Sequence, residues 1–346
     1  MPQAIQVIEE AIKDPLNDYV DGIMYTAASG VVCTGKLTDE VKNGVHIQRF
    51  TRSTDRWFYL HAKKLITAYN KDSSSTFLTE AVPMVDYLFR YDRGGFWVAV
   101  YAFKYFITPF NRITRWALDR FMHTRVMYHA LHKSGFSSQY IIQDVAIPFP
   151  RSTEFMQYLD HSFGHYPIWL CPLKYAGMST DPVRNHLSAK TNRQMPDLML
   201  NFGVWGPGPK RRAEFVAWNR DFEHKVEKLG GQKWLYAHAY YTEEEFNKIY
   251  DRKTYDIIRE RYNATYLPSV YDKVKVDIEA EEKALRNSWA LWLLALFWSV
   301  WPLSGLYGVY HAMLGGDYLL AQNPGRRGEK FISGDYSFGQ RPKVRR

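Results

Sequence analysis

The clearest periodic signal lies between residues 140 and 250. There, apolar positions switch between the two-residue repeat of a strand and the 3.6-residue repeat of a helix. YIIQDVAIPFP reads as a strand ended by Pro148 and Pro150, and Ser152 opens a helix, STEFMQYLDHSF. YPIWLCPLKY and DLMLNFGVWG read as two more strands, the second closed by a GPGP turn. AEFVAWNRDFEHKVEKLGG is an amphipathic helix. Phe215, Trp218, Phe222, Val226 and Leu229 fall on one stripe, and Gly230–Gly231 ends it. KWLYAHAYY reads as a fourth strand, and Thr242 with Glu245 forms a capping box for the helix TEEEFNKIYD. Strand–helix–strand–strand–helix–strand is the order of a split βαβ unit. The expected fold class is therefore α+β, a ferredoxin-like antiparallel sheet with flanking helices.

Upstream, a short amphipathic helix ends before Pro15. DYVDGIMYTAASGVVCTGKLT follows as a hairpin turning at Ser29–Gly30. Residues 40–80 are polar, with a loop at Lys71–Ser75. Residues 86–132 interleave aromatics (Phe96, Trp97, Tyr101, Phe103, Tyr105, Phe106, Phe110, Trp116, Phe121) with Arg and Lys. That pattern suits either an interfacial membrane surface or a pair of core helices with a solvated basic side. Residues 287–316 carry no Asp, Glu, Lys or Arg, a length that suits a spanning helix or a membrane-embedded hairpin. Pro302, Gly305 and Gly308 interrupt the second half, and Trp289, Trp292, Trp298 and Trp301 spread along the segment in favour of a shallow insertion. The expected organisation is a domain over 1–286, a transmembrane or embedded segment over 287–316, and a basic tail over 317–346.

Even with that segment included, the sequence as a whole is polar, with 23% charged residues and a mean hydropathy of −0.39. A net charge of +9 suits an anionic partner: a membrane surface, nucleic acid or a phosphate-bearing cofactor. With neither zinc-finger spacing nor an RNA-binding signature, nucleic acid is not expected. Two cysteines, Cys33 and Cys171, exclude a disulfide scaffold and a cysteine metal site, and fit a reducing compartment. FGVWGPGP lacks the spacing of a phosphate-binding loop and reads as a turn. His129 and His132 share a helix face without a carboxylate to complete a metal pattern, so no metal is expected.

The richest chemical cluster is Trp234-Leu-Tyr-Ala-His-Ala-Tyr-Tyr. On a strand, Trp234, Tyr236, His238 and Tyr240 would share one face. A phenol–imidazole–phenol row is a plausible proton-donor set; the alternative is an aromatic face packed on helices.

These residues carry a family likeness. YIIQDVAIPFP…FMQYLD…YPIWLCPLK, then KWLYAHAYYTEEEFNKIYD…YDIIRERYNA…LPSVYDKV, resembles the C-terminal half of the delta(24)-sterol reductases, flavoproteins of the vanillyl-alcohol-oxidase (PCMH) type. Tyr87, Arg90, Arg93, Phe96 and Trp97 resemble the family's Y-x-x-R-x-x-R-x-x-F/W block. The likeness covers roughly residues 18–276. It implies the substrate (cap) region of a membrane-bound, FAD-dependent enzyme that reduces a C=C bond in the side chain of a sterol. NADPH would be the electron donor and the endoplasmic reticulum the setting. It places Arg90, Arg93, Trp97 and Trp234 at the cofactor and Tyr236, His238 or Tyr240 as the acid. Ala237-His238-Ala239 stands where animal members resemble Ala-Asp-Cys. The family's N-terminal FAD domain has no counterpart here, so a separate or missing flavin domain is a further expectation. The alternative is a membrane-anchored sterol-binding or scaffold protein without catalysis.

Overall fold

The structure is a computed structural model. It describes residues 2–71, 78–174, 198–250, 252–278 and most of 300–319, with isolated residues between 280 and 298. In sequence order run α1 (Pro2–Lys13), β1 (Tyr19–Met24), β2 (Gly30–Gly35), β3 (His46–Ile47), α2 (Phe58–Lys71) and β4 (Glu80–Ala81). Next come α3 (Met84–Leu88), α4 (Ala99–Tyr105), α5 (Arg112–Ala117), α6 (Thr124–Lys133), β5 (Tyr140–Pro148), α7 (Phe149–Ser162) and β6 (Ile168–Lys174). Then follow β7 (Leu198–Pro207), α8 (Arg212–Lys228), β8 (Gln232–Lys233), α9 (Glu243–Ile249), α10 (Arg252–Arg261), α11 (Val270–Val274) and α12 (Leu303–Leu314). The protein forms two compact units, residues 1–46, 59–81 and 137–296 in the first and 47–58, 82–136 and 297–346 in the second.

The first unit holds a six-stranded sheet in the order β2-β1-β6-β7-β5-β8, with antiparallel pairings. The four strands β8-β5-β7-β6 have the ferredoxin-like order that the sequence predicts, and the β1–β2 hairpin extends them past β6. Side chains alternate across each strand. Ile141, Val145 and Ile147 of β5, Leu200, Phe202 and Val204 of β7, and Ile168 and Leu170 of β6 all enter one core. Onto that face pack Ile5 and Ile8 of α1, Phe155 and Leu159 of α7, and Phe215, Phe222 and Val226 of α8. The polar Gln143 lies on this face too, and its amide donates to Asn219 of α8 at 2.9 Å. The opposite face carries Asp21, Trp169, Asn201, Gly203, Trp205 and Asp144.

Three local expectations change. The fourth strand is only Gln232–Lys233, because residues 234–238 leave the ladder as a turn. FGVWGPGP is not a turn: β7 runs to Pro207 and pairs with β5 out to Tyr140. Helix α7 begins at Phe149, three residues before Ser152, whose hydroxyl instead donates back to the Pro148 carbonyl. The Thr242–Glu245 capping box forms as read. Most of the loop expected at Lys71–Ser75 lies outside the described residues.

The second unit is helical and aromatic. Trp57, Phe103 and Phe110 meet edge-on, and Trp97 and Ala99 are buried with them. α12 packs on α6, and its N-terminus is tied to Tyr105, whose carbonyl accepts from the Trp301 indole at 2.7 Å. Pro302 and Gly315 bound α12 at twelve residues. Among the described residues no helix is long and apolar enough to cross a membrane. Much of 287–299 and nearly all of the basic tail lie outside the described residues.

Candidate functional site

The sheet face turned away from α1, α7 and α8 assembles a run of polar contacts. β5 brings Asp144, β7 brings Asn201 and Trp205, β6 brings Trp169 and β1 brings Asp21. The turn after β8 then folds across them, held where the Trp234 backbone N–H donates to the Asp144 carbonyl at 3.0 Å. The Tyr236 hydroxyl donates a short hydrogen bond to Asp144 Oδ2. Asn201 Nδ2 donates to Asp144 Oδ1 at 3.1 Å, and the Trp234 indole donates to Asn201 Oδ1 at 2.7 Å. Trp205 Nε1 donates to the Tyr236 hydroxyl oxygen at 3.3 Å. Trp205 stacks on Trp169 at 6.1 Å, and Trp169 Nε1 donates to the buried Asp21 at 3.1 Å. Gly203 explains why two indoles fit: a Cβ there would sit 2.6 Å from the Trp205 ring and 3.1 Å from Asp144 Oδ1.

Asp144 is buried beside neutral hydrogen-bond donors, Tyr236, Asn201 and Trp205. Burial penalises its charged form and pushes the carboxyl up to about 6, against the hydrogen bonds that favour the anion. It is therefore a carboxyl held above its ordinary range, in contact with a phenol. Trp234 and Tyr236 are 43% and 52% exposed, so both rings offer surface while their polar ends point inward.

A buried ion pair sets the position of this turn. Lys233 Nζ lies 2.6 Å from Glu223 of α8, with 0% and 1% of the two side chains exposed. Lys233 also donates to the His238 carbonyl at 2.5 Å, and Glu223 accepts the Tyr240 backbone N–H at 3.0 and 3.1 Å. Burial pushes the Glu223 carboxyl up and the Lys233 ammonium down, and their mutual attraction opposes both shifts.

Of the proton-donor row Tyr236, His238 and Tyr240 read from the sequence, the structure brings only Tyr236 to Asp144, while the Trp234 indole meets Asn201. Because residues 234–238 form a turn, the alternation expected of a strand does not govern them. Tyr240 is buried in the helix-side core at 6.3 Å from Phe215, and the His238 side chain is exposed. Asp144, Asn201 and the Trp169–Trp205 pair are absent from the sequence-based site. The available signal was a single acid inside the apolar run YIIQDVAI, where a carboxylate needs a reason to be.

The cofactor residues expected from the R-x-x-R block lie in the second unit. All five N–H groups of Arg93 are used: on Asp119, and on the carbonyls of Phe50, Asp55 and Ser53 at 3.2, 2.9 and 2.9 Å. Arg93 and Trp97 are 2% and 1% exposed, so they are core struts with no surface for a ligand. Arg90 lies over the Tyr87, Tyr91 and Phe58 rings at 4.0, 4.7 and 5.3 Å and donates to the Tyr87 carbonyl at 2.9 Å. Beside Arg93, His123 lies between Asp92 at 2.7 Å and Asp119 at 3.7 Å. Burial opposes its charge, but Asp119 and Asp92 outweigh burial and raise His123 to about 9.

Fold and site together define an α+β domain of ferredoxin-like order carrying a buried carboxyl hydrogen-bonded to a half-exposed phenol, a class that hosts many chemistries. Comparison with known proteins narrows it. The protein is 25% identical over 271 residues to the Delta(24)-sterol reductase of Homo sapiens, covering 75% of this chain and 48% of that protein. It is 25% identical over 285 residues to the Delta(24)-sterol reductase homolog dhcr-24 of Caenorhabditis elegans, covering 78% and 50%. The Delta(24)-sterol reductase of Arabidopsis thaliana gives 25% over 302 residues, covering 78% and 50%. The chain is similar to the delta(24)-sterol reductases over about three quarters of its length, and it spans about half the length of the curated relatives it matches. No family model and no solved structure matches it.

Proposed function

We propose that this protein is the substrate-side part of a sterol reductase, an FAD-dependent oxidoreductase that saturates a C=C bond in the side chain of a sterol with NADPH as electron donor. Two observations support the reading: the likeness to delta(24)-sterol reductases over three quarters of the sequence, and a phenol backed by a carboxyl at about 6. The second carries the mechanism. An isolated alkene is a poor electrophile, so a positioned acid must protonate one carbon as or before hydride reaches the other. In this family a bound flavin supplies that hydride. Arg93 and Trp97 do not fit a flavin, since one has spent every donor and the other is buried. What this protein's own residues supply is the proton.

With Asp144 protonated, its O–H turns to the Tyr236 oxygen and frees the phenolic O–H for a bound alkene. As Tyr236 gives its proton to carbon, it takes one from Asp144, which water later reprotonates. The Trp205 indole, already donating to the same oxygen, stabilises the negative charge that develops there. Trp234 and the Tyr236 ring give an apolar sterol its contact surface. The site operates at the endoplasmic reticulum membrane, where sterols partition, and the alternative sterol-binding protein would keep the ligand without turning it over.

The test is sterol reduction by the protein in mild detergent with FAD and NADPH supplied, followed as gain of two hydrogens in the sterol. Reduction supports the enzyme; sterol binding without reduction, in the presence of retained flavin, overturns it in favour of the binding protein.

A further inference from the structure

α12 is built inside out for a helix in water. The side it turns to α6 and α4 carries Ser304, Gly305, Gly308 and Ala312, all buried. A Cβ on Gly308 would sit 2.5 Å from the Ala130 carbonyl oxygen, so the two backbones approach as closely as glycine permits. The outer side carries Leu306, Tyr307, Tyr310, Met313 and Leu314, each exposed, and the helix holds no Asp, Glu, Lys or Arg. A water-facing helix reverses this arrangement, with large apolar groups inward and charges outward. Small residues at the helix contact and large apolar ones outside describe a helix whose solvent on that side is hydrocarbon.

The neighbouring segment points to the same solvent. Tyr105 and Phe106, which pack on Gly305, lead directly into Ile107 and then Ile113, 76% and 73% exposed, and an exposed Trp116. Between residues 97 and 136 stand Lys104, Arg112, Arg115, Arg120, Arg125 and Lys133 against one acid, Asp119, which is buried and bonded to Arg93 and His123. A second copy of the protein would bring the same positive charge against this surface. A negatively charged bilayer complements it.

We propose that the outer face of α12, together with the Ile107–Trp116 segment, docks onto an anionic lipid bilayer. The apolar side chains enter the headgroup–acyl boundary and the flanking cations meet phosphates. The surface stands on the second unit alone and is independent of the sterol chemistry.

The test is flotation of the full-length protein with phosphatidylcholine vesicles, with and without phosphatidylserine. The protein should float with the anionic vesicles, and added salt should weaken that binding. The triple variant Leu306→Asp, Tyr310→Asp, Leu314→Asp, confirmed folded by an unchanged circular dichroism spectrum, should bind at least about tenfold more weakly. Because these positions are exposed, folding is expected to survive. As a second variant, Lys104→Glu with Arg112→Glu should remove the preference for phosphatidylserine and leave a weaker, salt-insensitive binding. Undiminished binding by the folded Asp variant overturns the proposal. So does a protein that ignores vesicles and instead forms a dimer which the Asp variant dissociates.

Discussion

At the residue scale the chemistry rests on Asp144. A carboxyl beside three neutral donors and, among the described residues, no cation is costly to ionise, and its position of about 6 reflects that cost. Because the folded state holds the proton more tightly than the unfolded one, Asp144 contributes stability below its ordinary value of 3.8. That contribution is lost as pH rises through about 6, up to roughly 3 kcal/mol. Asp144→Asn mimics the protonated acid, with an amide that donates to Tyr236 and accepts from Asn201. Denaturant titration should find the variant more stable than the parent at pH 8 and equal to it at pH 4; equal stability at both would remove the buried-acid assignment. His123 has the opposite chemistry and the same sign. Its raised position adds stability to the second unit below about 6.5 that disappears as pH rises through about 9. His123→Ala should flatten that alkaline decline in unfolding midpoint, and an unchanged decline would assign it to another group.

At the element scale, the turn carrying Tyr236 is only as well placed as its anchors. Glu223 on α8 and Lys233 at the end of β8 lock the turn's two ends, and removing one partner strands a buried charge, at about 3–5 kcal/mol. Glu223→Gln should therefore lower the unfolding midpoint strongly. Replacing both by apolar residues of similar size should recover much of that loss; no recovery would mean the pair's hydrogen bonds to the turn matter more than its charges. The same anchors explain what the sequence could and could not tell. The alternation in IIQDVAI and LMLNFGVW, and the helical stripe from Phe215 to Leu229, identified strands and helices because each buries one face. KWLYAHAYY carries strand-like alternation as well, but after Lys233 its backbone bonds go to Glu223, Asp144 and Val274 instead of a ladder. Those tertiary partners leave no mark on the local pattern.

At the scale of the whole molecule, the α+β class and the ferredoxin-like strand order were legible, and the site only in part. Tyr236 and Trp234 stand out in the sequence as part of one aromatic cluster, and the structure sets them against Asp144 and Asn201. Asp144, which accepts the hydrogen bond of the Tyr236 phenol, lies 92 residues away in sequence and is brought to it by the fold and not by any local pattern. Arg93 misled in the other direction. A motif arginine suggests an anionic ligand, yet here the guanidinium gathers three backbone carbonyls and an aspartate into one core. The uncharged stretch read as one membrane segment contains α12, a twelve-residue helix seated on α6, while much of the stretch before it lies outside the described residues.

In the proposed reaction Tyr236 delivers the proton and Asp144 replaces it. The most direct measurement is the pH–rate profile of sterol reduction for the parent and for Tyr236→Phe, with sterol affinity measured alongside. The parent rate should fall as pH rises through about 6, tracking Asp144. Tyr236→Phe should lose about 100-fold or more in kcat while sterol affinity changes little. A Phe variant that keeps the parent's rate and pH dependence would contradict this mechanism and place the acid elsewhere.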